Sequence, residues 1–172
     1  MRLEIENNYL PSKIVCVGRN YADHAAELGN EVPKAPLLFL KAPSSLVRNG
    51  EPIVIPPQSE RVEHEAELAI VMKERAKNLR DDEDVFKYIL GFTCLNDVTA
   101  RDIQRADVQF TRGKSFDTFC PIGPHIETDL VVSDVEVQCR VNGEIRQTGR
   151  TSQMVFPVEF LVLYISRQMT LM

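Results

Sequence analysis

The chain has 172 residues, 44% hydrophobic and 26% charged, which is ordinary globular usage, enough for one sizeable core, and excludes a disordered, collagen-like or coiled-coil protein. Its 20 Lys and Arg stand against 25 Asp and Glu, a formal charge of −5, which argues against a nucleic-acid partner because such a partner calls for a basic stripe that displaces phosphate counterions. The longest apolar run, Phe160 to Ile165, is far short of the roughly 20 residues that cross a bilayer, so no membrane span is expected.

Acidic residues near the N-terminus, Met1 to Asn7, stand where a secretory signal would carry its apolar core, which points to the cytosol, or to mitochondria if a transit segment was removed. Residues 1–172 are taken as a single domain, with 1–12 a lead-in. Cys16, Cys94, Cys120 and Cys139 form no CxxC pair; buried free thiols are expected, not a zinc ribbon or a disulfide framework.

In chain order, Lys13 to Gly18 is a β-branched run closed by glycine, a strand. Ala22 to Leu28 has good helix formers and stops at Gly29, a helix of about two turns. Leu37 to Leu40 is a strand ended by Pro43, and Ile53 to Ile55 a short strand confined by Pro52, Pro56 and Pro57. Val62 to Met72 alternates and then turns continuously apolar, which predicts one long strand whose second half is buried on both faces. Asp81 to Asp84 opens a helix carrying Val85, Phe86, Tyr88 and Ile89 and ending at Gly91. A strand over Phe92 to Asp97 follows, and Thr99 to Asp102 has capping-box spacing for a short helix. Val135, Val137, Cys139 and Val141 alternate up to Asn142-Gly143, the strongest hairpin signal in the chain. Pro157 suits the first turn of a last helix reaching Gln168, with Phe160, Leu161, Tyr164 and Ile165 as its apolar face. Short strands with a few helices predict a β-rich α+β domain.

The leading chemical feature is a carboxylate cluster. On a strand Glu63, Glu65 and Glu67 share one side. Three like charges in a row call for a cation, and oxygen-only ligation suits Mg²⁺, Mn²⁺ or Ca²⁺. An exposed edge paired with lysines is the plain alternative. Asp97, at a strand-to-helix junction, either joins the cluster or caps the helix. His24 and Glu27 face the same way at i and i+3, as an imidazole base with an orienting carboxylate or as a solvated pair. Lys114 sits in Arg112-Gly-Lys-Ser-Phe-Asp117, which is not a phosphate loop; it balances anionic charge or is an ordinary surface lysine. His64 should point away from the glutamates, and His125 lies in a turn and carries no signal.

The ordered motifs Gly18-Arg-Asn-Tyr-Ala-Asp-His-Ala-Ala-Glu-Leu-Gly29, His64-Glu-Ala-Glu-Leu-Ala69, Asn96-Asp-Val-Thr-Ala-Arg-Asp-Ile-Gln104, Gly113-Lys-Ser-Phe-Asp-Thr118, Asn142-Gly143 and Thr151-Ser-Gln-Met resemble the fumarylacetoacetate hydrolase family. Within it they are similar to the short branch of acylpyruvate hydrolases, oxaloacetate decarboxylases and hydroxymuconate-type isomerases. The resemblance implies a β-rich roll of mixed sheets, a homodimer, and a Mg²⁺ or Mn²⁺ ion held by Glu65, Glu67 and Asp97. It implies His24 and Glu27 as the base pair on a lid helix and Lys114 as the charge-stabilising lysine. Arg101 and Gln104 fall at the family's polar positions after the aspartate, and Arg19 and Tyr21 are further candidates for contact with a 2-oxo acid substrate.

The implied activity is hydrolysis of a carbon–carbon bond in acylpyruvate or fumarylpyruvate-type 1,3-diketo acids. Glu27 would orient His24, His24 would activate water against the distal carbonyl, and the ion and Lys114 would share the charge of the pyruvate enolate that leaves. Oxaloacetate decarboxylation and isomerisation of an unsaturated dioate use the same electron sink. A non-catalytic metal- or oxyacid-binding module is the reading from another class. Family members continue past Met169-Thr-Leu into further strands and a Gly-Thr-Pro-x-Gly loop; the expectation for a chain ending at Met172 is exposed sheet edges and a pocket open on one wall.

Overall fold

The eight-residue strand Ile89–Asn96 is the axis of the computed structural model, which describes residues 1–5, 10–21 and 33–172. The strands are β1 (Arg2–Glu4), β2 (Ile14–Gly18), β3 (Leu37–Lys41), β4 (Leu46–Arg48), β5 (Val62–Glu63), β6 (Ala66–Met72), β7 (Ile89–Asn96), β8 (Thr99–Ala100), β9 (Cys120–Ile122), β10 (His125–Glu127), β11 (Glu136–Val141) and β12 (Glu144–Arg150). The α-helices are α1 (Arg101–Ala106), α2 (Thr111–Lys114) and α3 (Val158–Gln168). The predicted helix over Ala22 to Leu28 lies outside the described residues.

β6 runs antiparallel along one edge of β7, from Ala66 opposite Asn96 to Met72 opposite Ile89. The other edge is shared by β9, at Leu95–Ile122, and β10, at Phe92–Glu127. β4 adds parallel to β9 and β1 antiparallel to β10, while β2–β3, β5–β8 and β11–β12 are separate two-stranded pairs. The class is the expected strand-rich α+β with short helices. Among the described residues no helix is long and apolar enough to cross a membrane.

The core gathers where α3 packs on the β7 end of the sheet. Val158, Leu161, Val162 and Ile165 meet Ala76, Leu79, Val85, Ile89 and Phe92. This face is turned from the one predicted: Phe160 is 43% exposed and stacks between Phe156 and Tyr164 on the outer side. The hairpin forms as read, with Asn142 and Gly143 at φ 53° and 84°, the left-handed pair of a type I′ turn.

Several local expectations are corrected. Ile53 to Ile55 is extended coil, because the flanking prolines supply no N–H and the Val54 amide goes to Thr118 Oγ1, 2.8 Å. The long strand breaks at His64-Glu65, where Asp97 N donates to the Glu65 carbonyl, 2.8 Å, and Glu65 N donates to Asn96 Oδ1, 3.0 Å. β5 therefore pairs with β8 and β6 with β7, and only Val71 in the second half is fully buried. The helix after Asp84 is one 3-10 turn, Val85–Tyr88, leaving Phe86 exposed and Gly91 inside β7. No capping box forms at Thr99; Thr99 is in β8, its hydroxyl donates to the Asp97 carbonyl, and α1 starts at Arg101 without a side-chain cap. Cys120 is buried as expected, but Cys94 is exposed and Cys16 and Cys139 are half-buried. His125 lies in β10, not in a turn.

Gly91 marks the tightest approach in the sheet. A Cβ there would stand 2.5 Å from the Glu127 carbonyl oxygen and 2.7 Å from Ile126 Cγ2, and backbone cannot swing aside as a flexible side chain does. Gly91→Ala should cost about 2 kcal/mol and lower the melting temperature by roughly 4–8 °C. Gly149→Ala, whose Cβ meets only the Tyr21 ring at 3.8 Å, should change it little; thermal melts of the two variants check the contrast.

Candidate active site

Where β7 ends, the chain turns through Asp97 and Val98 into β8 and α1, and this corner is buried: Asp97 is 3% and Val98 2% exposed. A carboxylate at such depth is tolerated only with matched charge. It has two lysines. Lys41 Nζ, at the end of β3, donates to Asp97 Oδ1, 2.7 Å, and Lys114 Nζ, at the end of α2, to Oδ2, 2.6 Å. Lys114 also donates to Glu65 Oε2, 2.7 Å, and its ammonium lies 5.0 Å from the centre of the Phe39 ring. Asp97 caps no helix; both its oxygens face cations.

The network continues outward. Glu65 Oε1 meets Arg101 Nη2 at 2.5 Å. Arg101 Nε donates to Glu63 Oε2, 2.8 Å, and its Nη1 to Gln104 Oε1, 3.0 Å, one turn along α1. Glu63 is also held by Arg61, 2.7 Å. The strand break at His64-Glu65 thus sends Glu63 to the arginines while Glu65 turns to Lys114. His64, expected away from the glutamates, is not among the residues lining the cavity, and its Nδ1 is buried without a hydrogen-bond partner.

Glu67 differs from its neighbours. It makes no hydrogen bond or ion pair among the described residues, and burial, then the Glu65 and Asp97 charges, push its carboxyl up to about 8 against a partial offset from Lys114. Burial would raise Glu65 as well, but Lys114 and Arg101 outweigh it and hold that carboxyl below its ordinary value. Tyr21 is pushed up to about 12, first by burial and then by Glu67, so its hydroxyl stays neutral. Burial lifts the Cys16 thiol well above its usual value and Cys120 up to about 11, which leaves neither as a thiolate nucleophile.

Arg19, Tyr21, Glu65, Glu67, Asp97, Arg101, Gln104 and Lys114 all line one cavity of about 580 Å³. The remaining two candidates, His24 and Glu27, lie outside the described residues. Val15, Val17, Leu68, Ile70 and Leu161 add an apolar part to the same lining. Arg19 is in the left-handed region at φ 57°, held by the buried Asn20, whose side chain donates to the Phe156 carbonyl, 3.0 Å, and accepts from Phe156 N, 2.9 Å.

Three anchoring residues escaped the sequence reading. Lys41 looked like the last residue of an apolar strand, although the alternation Leu37, Phe39, Lys41 already put it on the face of Phe39. Asn20 was passed over between Arg19 and Tyr21. Gln147 pins the hairpin to the strand between Glu65 and Glu67, accepting from Ala66 N, 2.7 Å, and donating to Ala66 O, 2.8 Å; an exposed-looking strand residue carries no such signal.

A profile described as fumarylacetoacetate (FAA) hydrolase C-terminal matches residues 13–172. The chain belongs to the fumarylacetoacetate hydrolase family. An uncharacterized protein of Methanocaldococcus jannaschii is 52% identical over 161 residues, covering 94% of this chain and 68% of its own length. The mitochondrial oxaloacetate tautomerase Fahd2a of Rattus norvegicus is 45% identical over 165 residues, 94% of this chain and 52% of its own. The crystal structure of 5-carboxymethyl-2-hydroxymuconate delta-isomerase from Mycobacterium smegmatis superposes with a TM-score of 0.86 at 45% identity, over 95% of this chain and 64% of that one. The chain thus spans about half the length of the rat relative and just under two thirds of the isomerase.

Against the family's expected divalent ion, the described residues form no ready cage: no three His, Cys, Asp or Glu side chains are set to hold a metal as they stand. The donor set nonetheless fits a hard cation. Glu65, Glu67 and Asp97 offer oxygens to one cavity, Glu67 is unmatched, and an ammonium already bridges the other two.

Glu67 sets a pH dependence. Below about 4.5 its carboxyl is protonated whether the chain is folded or not; between there and about 8 the unfolded chain gives up a proton that the folded one keeps. Stability therefore falls as pH rises through that window and levels above it. In urea titrations with a chelator present, subtracting the Glu67→Gln curve from that of the parent should give a difference that declines between about pH 5 and 8; a flat difference would show that Glu67 ionises normally.

Proposed function

We propose that this chain is a divalent-metal-dependent enzyme that forms and stabilises the enolate of a 2-oxo acid. The observation that carries the reading is the buried cluster of Glu65, Asp97, Lys114 and Arg101 with the unmatched Glu67 on one cavity. Mg²⁺ or Mn²⁺ at Glu65, Glu67 and Asp97 would supply Lewis acidity toward the carboxylate and 2-oxo oxygens of the substrate.

The chain's own residues do the rest. Lys114 Nζ engages two carboxylates and keeps a third donor direction, which can meet negative charge developing on a substrate oxygen. Arg101 is fixed by Glu63 and Glu65 and orients the Gln104 amide, leaving that amide's N–H groups for the ligand. Tyr21 adds a neutral hydroxyl donor. The apolar wall lowers the local dielectric and strengthens each of these contacts.

Two reactions use this arrangement. Proton transfer between carbon and oxygen of an oxaloacetate-like acid, or isomerisation of an unsaturated dioate, is supported by the named relatives, a tautomerase and an isomerase. Hydrolytic cleavage of an acylpyruvate is supported by the His24–Glu27 spacing, with Glu27 orienting the imidazole and His24 taking a proton from water. The same reading takes the enzyme as a homodimer acting in the cytosol or in mitochondria.

Calorimetric titration with Mn²⁺ and then with oxalate, a planar mimic of the pyruvate enolate, tests the site. Metal should bind first, and oxalate only to the metal-loaded protein; Glu65→Gln should weaken metal binding roughly 10-fold or more. Oxalate binding that ignores metal would sink the reading. His24→Ala should abolish acylpyruvate hydrolysis while sparing Mn²⁺ affinity, and surviving hydrolysis would remove His24 as the base.

A further inference from the structure

Two buried lysines share one carboxylate, yet their surroundings differ. The Lys41 side chain is 0% exposed. Its ammonium donates to Asp97 Oδ1, 2.7 Å, to the Val98 carbonyl, 3.2 Å, and to the Lys114 carbonyl. An ammonium has three protons, so every donor is committed to protein. Lys41 does not line the cavity, whereas Asp97, Glu65 and Lys114 do. Next to it, Ala42 N donates to Ser115 Oγ, 2.9 Å, so residues 41 and 42 grip residues 114 and 115 at two consecutive points.

We infer that Lys41 is a positioning residue: from behind the site it fixes the rotation of the Asp97 carboxylate and the place of the Lys114 backbone, so that Asp97 Oδ2 and Lys114 Nζ are what the cavity presents. A carboxylate held at one oxygen by a saturated, immobile donor can offer only the other. A lysine whose carbonyl is pinned has its reach set by its side chain alone.

A second role could be assigned to a buried cation near carboxylates, that of simple charge neutraliser, and the two differ in sign. Removing a neutralising charge makes the site more negative and tightens a divalent cation. Removing a positioning residue lets Asp97 rotate and weakens it, as loss of partners that orient metal ligands does, by roughly 10- to 100-fold.

The test uses the full chain with Lys41→Met and Lys41→Arg, circular dichroism to establish folding, Mn²⁺ titration by calorimetry, and amide hydrogen exchange over residues 111–119. The expected result is weaker Mn²⁺ binding and faster exchange in Lys41→Met, with part of the affinity restored in Lys41→Arg, whose guanidinium can still donate to Asp97. Unchanged or tighter Mn²⁺ binding in Lys41→Met overturns the inference, and so does a loss that Arg does not relieve at all, which marks a packing defect. If Lys41→Met fails to fold, Lys41→Gln, which likewise removes the charge, takes its place beside Lys41→Arg and the same outcomes decide. The Mn²⁺ arm rests on the function proposed above. Should the parent bind no Mn²⁺, that proposal falls while the exchange comparison still judges Lys41, by protection of 111–119 lost or retained.

Discussion

A carboxylate taken out of water has to find its charge balance inside the protein, and Asp97 finds it twice over. The cost of desolvating an ion is several kcal/mol even after relaxation, and at the corner after β7 Lys41 and Lys114 offset it. That requirement brings together segments far apart in sequence. The end of β3, the end of β7 and the end of α2 meet at one carboxylate, and the Phe39 ring, one pleat back from Lys41, covers the second ammonium. The fold around the cavity is in this sense a solution to one electrostatic problem, and the residues after Asp97 go on into a buried apolar cluster of Val98, Ala100, Ile103 and Phe119.

Buried ion networks are weak evidence for stability, because well-packed apolar residues often serve as well or better. What such a network provides is definite orientation. Glu65 is held at both oxygens, by Lys114 and Arg101, and Glu63 by two arginines. Glu67 breaks the pattern: it is buried with no donor and lies beside like charges, and its acidity is depressed accordingly. A group left unmatched beside such complete pairing is a natural place for an incoming cation, which would replace the Glu67 proton without first breaking a bond from Glu67 to another residue.

The parts of this arrangement that could be read from sequence are those with short-range signatures. Glu65 and Glu67 are two apart in an extended segment, Asp97 stands at a strand end, and Asn142-Gly143 declares its hairpin; each depends on neighbours within a few residues. What could not be read depends on partners far away. The strand break at His64-Glu65 exists because Asn96 and Asp97 bond that backbone, and nothing between Val62 and Met72 announces it. Gly91 looked like a helix stop, but its role is to admit the Glu127 carbonyl. Phe160 fits an apolar stripe by count and still faces outward, because the sheet meets α3 along Val158, Leu161, Val162 and Ile165. Lys41 is the clearest case: a lysine following Leu37-Leu-Phe-Leu reads as the polar end of a strand, and only the position of Asp97, 56 residues on, reveals a wholly buried ammonium.

How fully a polar group is satisfied separates residues that hold the site from those able to act in it. Lys41 has spent all three protons on the protein, and Arg101 is engaged by Glu63, Glu65 and Gln104. A further ligand gains little from such groups unless an existing bond is given up. Lys114 retains a donor, Glu67 has no donor bound to it, and Gln104 uses its carbonyl oxygen toward Arg101 while its amide hydrogens stay uncommitted. These residues line the cavity and offer a cationic donor, an acidic oxygen pair and a neutral amide, with the Tyr21 hydroxyl as a further neutral donor. On the function proposed above, such a set would suit a small anion chelated to a cation, with charge that grows on oxygen during reaction, better than a neutral or cationic ligand. The saturated groups stand around or behind them, so the site keeps its shape while its reactive members exchange partners.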